Sequence, residues 1–289
     1  MQITELAPAK INLSLDILQK RPDRFHEMDM LMTSVSLADE LIIRRSNDLR
    51  IKFSCDSPIL TNSSRNLAVA SAILFCKNQE IPLQEIEIIL KKRIPISAGL
   101  AGGSSDAAAV LRGLNRLFDA GLSTDALAEM GLSLGADVPY CVYGGTVRAR
   151  GRGEVLVPAP ELPPCFIVLC TPNFPIRTSE LFAAIDVPRI RHRPDTEGLI
   201  DALTTGNLRL IGQLMYNVFE DVLTPHARRT IDAIRTTLYE NGALAASMSG
   251  TGPTVFGLFD CEATANLAAS ELRREYRHTF VAKPNEKAV

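Results

Sequence analysis

The stretch PISAGLAGGSSDAAA, residues 95–109, combines a glycine-rich turn with the start of a helix. Three glycines precede a run in which alanines and leucines repeat on one face, so we predict a helix that begins near Ser104. Glycine lets the backbone approach an anion closely, and the first turn of a helix offers unpaired N–H groups at the positive end of its dipole. The stretch therefore favours a phosphate-binding site. An ordinary turn before a helix capped by Ser104 or Ser105 is the alternative.

The segment LAPAKINLSL, residues 6–15, lies on a predicted strand near the amino terminus. Side chains of a strand alternate between two faces with a period of two, which places Lys10 and Asn12 on the same side. A cation beside a carboxamide in an otherwise apolar strand suits the orientation of a hydroxyl group and the stabilisation of developing negative charge. A lysine in solvent at the end of a strand is the alternative.

The segment SMSGTGPTVFGLF, residues 247–259, joins two predicted strands through Gly250 and Gly252. A hairpin is the simplest interpretation of this pattern. The hydroxyl groups of Ser249 and Thr251 are also suited to contact phosphates. The segment is therefore a second candidate for phosphate binding.

Strands and helices mix along the chain without a regular strand–helix–strand rhythm, which predicts an α+β fold. Four prolines within residues 158–164 exclude a helix or a central strand there, so we place the boundary between two lobes, 1–160 and 161–289, at that point. Other local patterns predict short strands over 11–17, 30–36, 41–45 and 49–53, a loop over 135–139, a hairpin through Gly144 and Gly145, and a helix over 207–219.

Composition excludes several classes of protein. The chain has 289 residues, of which 46% are hydrophobic, and a formal net charge of −2, so we expect neither nucleic acid nor an anionic membrane as its partner. The six cysteines include no C-x-x-C pair, which argues against a zinc framework or a disulfide scaffold. Glu5 and Lys10 interrupt the first apolar segment, and no apolar run reaches the ~18 residues of a membrane span. We therefore expect a soluble, cytoplasmic protein.

In their order and spacing, the three segments resemble the three motifs of the GHMP kinase superfamily, which includes galactokinase and the homoserine, mevalonate and phosphomevalonate kinases. The resemblance covers essentially the whole chain. It implies a two-lobed fold, in which a first lobe like domain 2 of ribosomal protein S5 and a ferredoxin-like second lobe enclose the active site. It also implies that the phosphates of ATP are bound by Pro95, Ile96, Ser97, Ala98, Gly99, Leu100, Ala101, Gly102, Gly103, Ser104 and Ser105.

Within that superfamily, the chain is most similar to the branch that phosphorylates the tertiary 2-hydroxyl of CDP-methylerythritol in the non-mevalonate isoprenoid pathway. The stretches that carry this likeness are APAKINLSLDI, KRPDRFHEMD, AGLAGGSSDAAA, LGADVPYCVYGGTVRARGRGE and SMSGTGPTVFGLF. Lys10 matches the catalytic lysine of the family, and Asn12 beside it is expected to contact the substrate.

Asp137 matches the catalytic aspartate, which takes the proton of the acceptor hydroxyl during in-line transfer. Without the resemblance, an aspartate in this loop is more typical of a turn or a cap. Mg²⁺ is implied together with ATP, and Ser105 is a candidate ligand.

Recognition of the cytosine base is implied for three further residues. His26 matches the family position that hydrogen-bonds the base, Phe25 is expected to stack on one face of the ring, and Phe182 on the opposite face. Without the resemblance, His26 is a solvated residue in a turn, and a core phenylalanine on a short helix is an equally good interpretation of Phe182. The family usually has Asp-Gly-Tyr-His where residues 23–26 of this chain are Asp-Arg-Phe-His. The loss of glycine matters if that position needs a positive φ, and the loss of tyrosine removes one hydrogen bond while keeping the stacking face.

Charged residues near these motifs permit two interpretations. Arg148, Arg150 and Arg152 alternate along a predicted strand, where they either steer a diphosphate or form a solvated face. Asp106, in the first turns of the predicted helix, would repel a nearby phosphate, so we expect it to point away or to meet the nucleotide only indirectly.

Two other functions stay open at this point. Another GHMP kinase, acting on mevalonate or homoserine, would lack a slot for cytosine. A catalytically silent nucleotide sensor could use the same fold, because fold does not determine function, although the presence of Lys10 and Asp137 favours an enzyme. The sequence does not distinguish a monomer from a homodimer.

Overall fold

The structure, a computed structural model, describes residues 2–46, 51–82, 86–190 and 192–285. Its strands are β1 (Gln2–Lys20), β2 (His26–Arg45), β3 (Lys52–Cys55), β4 (Ile86–Lys91), β5 (Thr146–Gly151), β6 (Val155–Pro158), β7 (Phe166–Thr171), β8 (Tyr216–Asn217), β9 (Ala245–Met248), β10 (Val255–Phe259) and β11 (His278–Ala282). Its helices are α1 (Leu67–Asn78), α2 (Gly102–Leu117), α3 (Thr124–Leu132), α4 (Val138–Tyr143), α5 (Thr178–Ala184), α6 (Thr196–Thr205), α7 (Leu208–Leu214), α8 (Pro225–Glu240) and α9 (Glu262–Leu272). Within these ranges, no helix is both long and apolar enough to cross a membrane.

Strand β1 is buried on both of its faces. The odd-numbered residues from 7 to 17 are apolar and at most 2% exposed, so they form part of the core. The even-numbered Lys10, Asn12, Ser14 and Asp16 are buried as well, but they are polar and lie on the opposite face. Since buried polar groups need partners, this second face must be covered by polar groups from elsewhere in the chain.

Seven strands of the described residues form the larger sheet, in the order β3-β4-β2-β1-β8, with β5 paired to β2 and β6 to β5. β1 and β2 are antiparallel, and their register shifts between Pro8 and Lys10 and again between Asn12 and Ser14. Helix α2 packs against both strands, and α1 packs against α2. The two register shifts flank Lys10 and Asn12, so the ladder is irregular where these side chains project.

A smaller antiparallel sheet has the order β11-β7-β10-β9. Helices α8 and α9 pack against its strands. The start of α8 has a side-chain cap. The hydroxyl oxygen of Thr224 accepts a hydrogen bond from the N–H of Ala227, and Pro225 occupies the first helical position. Both sheets with their helices have the α+β arrangement that the sequence predicts.

The predicted short strands are partly wrong in their bounds. Those over 30–36 and 41–45 belong to one continuous strand, β2, because the polar residues between them stay in the ladder: Asp39 is buried there. The strand predicted over 11–17 is the middle of β1. Part of the strand predicted over 49–53 lies outside the described residues, and β3 begins at Lys52.

The loop predicted over 135–139 is confirmed for 135–137 and wrong for the last two residues, and the hairpin predicted through Gly144 and Gly145 is wrong. Helix α4 begins at Val138 and contains Pro139. Proline is tolerated there because the N–H groups of the first helical turn make no hydrogen bond within the helix, so the missing N–H of proline costs none. Gly144, with φ +69°, ends α4, and the chain then enters β5 at Thr146. A helix-to-strand connection therefore replaces the hairpin.

The helix predicted over 207–219 is wrong beyond Leu214, where α7 ends. Asn217 interrupts it: its side-chain amide donates to the carbonyl oxygens of Met248 and Gly250 at 2.7 and 2.8 Å, and its Oδ1 accepts from the N–H of Phe219. These long-range bonds place β8 parallel to β1. The lobe boundary at residue 160 stays a prediction, and the larger sheet includes this short strand from the second half of the chain.

Candidate active site

A cleft of about 710 Å³ is lined by residues of all three sequence motifs. Its lining includes Lys10, Asn12, Ser97, Gly99, Ala101, Ser104, Asp137, Phe182, Gly250, Thr251 and Gly252. The cleft has the size of a small-molecule site and contains several convergent polar groups. The segments that the sequence places far apart therefore meet around one cavity.

Lys10 and Asn12 enter the cleft from the polar face of β1. The Nζ of Lys10 donates a hydrogen bond to Oδ1 of Asn12 at 2.5 Å, and Lys10 is only 5% exposed. Burial lowers the pKa of Lys10, and the negative charge of Asp137 opposes that shift. The alternative of a solvated lysine is wrong. The bond to Asn12 orients the amine and leaves its other N–H groups for an oxygen atom in the cleft.

Asp137 reaches the same cleft from the residue before α4. It occupies the N-cap position, yet its side chain makes no capping hydrogen bond within the described chain. A Cβ atom on Gly153 would lie 3.9 Å from Oδ1 of Asp137, so the turn between β5 and β6 passes beside the carboxylate. The interpretation of Asp137 as a cap is therefore wrong, and its carboxylate is available to a ligand.

The glycine-rich turn places the N-terminus of α2 at the cleft. Ala101 precedes the helix with φ +56° and provides no side-chain cap, and α2 starts at Gly102, two residues earlier than predicted. The hydroxyl of Ser105 donates instead to the carbonyl oxygen of Pro8 at 2.7 Å. The alternative of a serine-capped turn is wrong, and the first N–H groups of the helix are left for a ligand.

The hairpin between β9 and β10 packs directly on that turn. The hydroxyl of Ser249 donates to the carbonyl oxygen of Gly99 at 2.9 Å and accepts from the N–H of Asn12 at 3.3 Å. Ser249 is fully buried, so its predicted contact with phosphates is wrong, whereas Thr251 lines the cleft. The sequence pattern did not identify Asn217, whose side-chain amide donates hydrogen bonds to the carbonyl oxygens of Met248 and Gly250 in this hairpin. The local sequence shows only a polar residue before two apolar ones.

A second cleft of about 620 Å³ continues from the first and shares Ser97 and Pro175 with it. Its lining is mixed, and the apolar residues come from the β3–α1 loop, the glycine-rich turn, the segment after β7 and the β9–β10 hairpin. These apolar residues are Pro58, Ile59, Ile94, Pro95, Ile96, Phe174 and Pro253. An elongated ligand can therefore run from the second cleft past the N-terminus of α2 into the first.

Of the three residues predicted to read cytosine, Phe182 lines the first cleft, whereas His26 and Phe25 are not among its lining residues. His26 stacks against Phe182, with ring centroids 5.0 Å apart and an interplanar angle of 27°. The ring of Phe25 is 54% exposed and lies 5.0 Å from the guanidinium carbon of Arg152. Burial, together with the charge of Lys20, lowers the pKa of His26, so its ring is neutral at pH 7. The role of these residues in base recognition stays a prediction.

Arg24 occupies the position where the family usually has glycine, and its φ is +69°. A side chain in this region costs roughly 1–2 kcal/mol, part of which a glycine avoids. We therefore expect Arg24→Gly to raise the free energy of unfolding by about 0.5–1 kcal/mol in urea denaturation. Arg24→Ala keeps the Cβ atom and should leave the value nearly unchanged; equal gains in both variants would contradict this explanation.

The three arginines around β5 have separate roles. Arg148 forms ion pairs of 2.6 Å with Asp29 and with Glu197, so the interpretation of a simply solvated face is wrong for it. Arg152, in the turn after β5, lines the cleft and stacks on Phe25. Of this set, Arg152 is the residue positioned to meet an anionic group in the cleft.

Two family models match the chain: "GHMP kinases N terminal domain" over residues 66–145 and "GHMP kinases C terminal" over residues 199–278. The chain belongs to the GHMP kinases, a family of small-molecule kinases, and the predicted two-lobed fold is confirmed.

Among individual proteins, the 4-diphosphocytidyl-2-C-methyl-D-erythritol kinase of Brevibacillus brevis is 40% identical over 286 residues, which cover 98% of this chain and 96% of that protein. A crystal structure of 4-(cytidine 5′-diphospho)-2C-methyl-D-erythritol kinase is 32% identical with a TM-score of 0.83, covering 97% of this chain and 98% of the other. A homoserine kinase from Cytophaga hutchinsonii shares the fold at 20% identity, with a TM-score of 0.73 and coverages of 99% and 95%.

Proposed function

We propose that this protein transfers the γ-phosphoryl group of ATP to the 2-hydroxyl of CDP-methylerythritol, as part of the non-mevalonate route to isoprenoid precursors. The observation that supports this most is the convergence of Lys10, Asp137 and the N-terminus of α2 on one cleft. The identity of 40% to a named 4-diphosphocytidyl-2-C-methyl-D-erythritol kinase, over nearly the full length of both chains, supports the choice of substrate. Mevalonate and homoserine kinases are not favoured as alternatives.

The donor nucleotide is bound along the glycine-rich turn. The triphosphate of ATP lies at the first turn of α2, where the N–H groups of Gly102, Gly103 and Ser104 precede the first complete helical hydrogen bond, from Ser105 to Ala101. The nucleoside occupies the second cleft, whose apolar walls suit a flat base. This path leaves the γ-phosphate at the first cleft, facing the acceptor.

Mg²⁺ accompanies ATP in this proposal. The ion usually keeps several waters and is held by substrate phosphates with few protein oxygens. No group of three or more His, Cys, Asp or Glu side chains in the described ranges forms a dedicated metal site, while the hydroxyl of Ser104 lies at the cleft, so the residues fit an ion carried by the phosphates. Ser105 does not fit, because its hydroxyl is bound to Pro8. The bound ion neutralises charge on the transferred group.

Asp137 and Lys10 act on the acceptor hydroxyl. The carboxylate of Asp137 accepts the proton of the 2-hydroxyl as its oxygen attacks the γ-phosphorus atom. Lys10, oriented by Asn12, attracts the electron-rich oxygen and so lowers the pKa of that hydroxyl. Lys10 acts strongly because it is buried, and electrostatic interactions are stronger away from water.

The cytidine diphosphate of the acceptor lies toward His26 and Arg152. A neutral imidazole has one donor and one acceptor nitrogen, which suits the mixed donor and acceptor edge of cytosine. Arg152 offers a planar set of donors to the diphosphate, and Phe25 beneath it gives an exposed stacking face. All of these residues come from one chain, so the proposal holds for a monomer or a homodimer.

Ligand-induced thermal stabilisation tests the choice of substrate. CDP-methylerythritol at about 100 times its Kd should stabilise the protein by about 2.7 kcal/mol and raise Tm by several degrees. Mevalonate and homoserine at the same concentration should leave Tm unchanged, because neither has a nucleotide to fill the cleft. A rise with mevalonate or homoserine and none with CDP-methylerythritol would remove the substrate assignment while leaving the family membership intact.

A further inference from the structure

Met30 of β2 lies in the wall of the first cleft, and the mechanism described above does not use it. Met30 lines the cleft although it is only 4% exposed. Nδ2 of Asn12 donates a hydrogen bond to Sδ of Met30 at 3.6 Å. Because Oδ1 of the same Asn12 accepts from Nζ of Lys10, the thioether adjoins the group that orients the catalytic amine.

The other end of the Met30 side chain lies beside Asp137. A Cβ atom on Gly153 would lie 3.3 Å from Cε of Met30, 3.9 Å from Oδ1 of Asp137 and 4.0 Å from Cβ of Ala136. These three atoms surround one small space beside the carboxylate, here called the notch. Met30, Ala136 and Asp137 all line the first cleft, so the notch borders the cavity in which a ligand binds.

The notch is apolar except for the carboxylate oxygen. Its two carbon atoms belong to the methyl end of a thioether and to the methyl group of an alanine. A carbon atom placed between them would have contacts of about 3.5–4 Å, the separation at which dispersion attraction is strongest. The notch is therefore suited to one methyl group of a ligand that also reaches Asp137.

The acceptor of the proposed reaction has such a methyl group. Its reacting hydroxyl is attached to a tertiary carbon, and the methyl group is attached to the same carbon. Only two bonds separate the methyl carbon from the hydroxyl oxygen. When that hydroxyl donates to Asp137, the methyl group must therefore contact the atoms that surround the carboxylate, which are Cε of Met30 and Cβ of Ala136.

Other apolar residues of the first cleft belong to different walls. Phe182 of α5 packs edge to face on Phe219, with ring centroids 4.9 Å apart. Ile176 lies beside the β9–β10 hairpin, where a Cβ atom on Gly252 would be 3.1 Å from its Cδ1. Met30 is thus the long apolar side chain on the wall that carries the catalytic carboxylate.

We propose that Met30 is a specificity-determining residue, which packs its Cε atom against a methyl group on the carbon that carries the reacting hydroxyl. The inference rests on the proposed function, because CDP-methylerythritol is the acceptor. The hydrogen bond from Asn12 and the contact with the Gly153 turn hold the thioether in place before the acceptor binds. The packed methyl group then limits rotation of the tertiary carbon and directs its hydroxyl toward Asp137.

Two acceptors test this inference: CDP-methylerythritol and CDP-erythritol, which lacks the methyl group. The quantity measured is the ratio of their kcat/KM values. One methyl group in an apolar pocket contributes about 10–200-fold to such a ratio, and Met30→Ala should lose at least about tenfold of it. The difference in intrinsic reactivity between a tertiary and a secondary hydroxyl is the same for every variant, so it cancels when the ratios are compared.

Met30→Leu provides a second test if Met30→Ala does not fold, because leucine has nearly the same volume. Its side chain ends one bond short of Cε, so the ratio should fall about threefold or more. Met32→Leu is the matched control. Met32 belongs to the same strand and is fully buried, but it lies outside the lining of the first cleft, so this variant should keep the wild-type ratio.

A purely structural role of Met30 would lower kcat/KM for both acceptors by the same factor. An unchanged ratio in Met30→Ala, or equal ratios in Met30→Leu and Met32→Leu, would therefore overturn this inference alone. A wild-type protein that phosphorylates neither acceptor would instead overturn the proposed function. The two failures are distinguishable in one set of kinetic measurements.

Discussion

Asp137→Asn is expected to lower kcat by about 10²- to 10⁴-fold, the usual contribution of a general base. The amide has nearly the same shape but cannot accept the proton of the acceptor hydroxyl. Binding of ATP should be nearly unchanged, because in the proposed arrangement the phosphates contact the first turn of α2 rather than Asp137. Release of ADP in the presence of CDP-methylerythritol measures the first effect, and calorimetric titration with ATP measures the second.

Glu129→Gln is the appropriate control for this variant. Glu129 is an exposed carboxylate on α3, outside the lining of the first cleft, and the substitution makes the same change of charge. Its kcat should equal that of the wild type. If Asp137→Asn turned over substrate as fast as this control, Asp137 would not be the base, and the carboxylate would be left at most with a role in orientation.

Gly99→Ala is expected to lower the free energy of unfolding by about 3 kcal/mol or more and to abolish measurable binding of ATP. Gly99 has φ +77°, and an added Cβ atom would overlap the carbonyl oxygen of Ser249 and lie 3.0 Å from that of Gly252. Both obstacles are backbone atoms, so no side chain can rotate away. The glycine-rich turn would have to separate from the β9–β10 hairpin, which would distort the start of α2.

Gly121→Ala separates the cost of a side chain at positive φ from the cost of the overlap with backbone atoms. Gly121 has a similar φ of +67°, but a Cβ atom there would meet no atom within 4 Å. Its cost should be only that of the positive φ, about 1–2 kcal/mol, with the affinity for ATP unchanged. Urea denaturation of both variants gives the difference, and equal losses would mean that the contact between Gly99 and Ser249 imposes no constraint.

Local signals in the sequence were sufficient where an element is determined by its own residues. The glycine-rich turn followed by the apolar repeat after residue 106 predicted α2, which the structure confirms. The alternation along β1 placed Lys10 and Asn12 on one face, and the structure joins them by a hydrogen bond. Each of these features depends on neighbours within about one helical turn or two strand positions, which is the range that a pattern can report.

The same signals failed where a distant contact decides the local conformation. The pattern over 207–219 predicted one helix, but the helix ends at Leu214 and β8 follows, because the side chain of Asn217 donates hydrogen bonds to the carbonyl oxygens of Met248 and Gly250. Pro139 was interpreted as part of a loop although it sits in the first turn of α4, and Ser249, predicted to face phosphates, is buried against Gly99. Ser105 was likewise predicted as a possible ligand of Mg²⁺, but its hydroxyl donates to the carbonyl oxygen of Pro8.

By itself, the sequence determined the family, the kinds of residue available for phosphoryl transfer and the order of the three motifs, since these depend on side-chain chemistry and local spacing. Only the tertiary structure decided which of those side chains share a cavity: Asp137 and Lys10 do, Ser105 and Ser249 do not, and Asp106 lies in a buried cluster with Lys92 and Asp39. The physical reason is that burial and hydrogen bonding between distant segments set where a polar group points, and neither is encoded within a short stretch of chain.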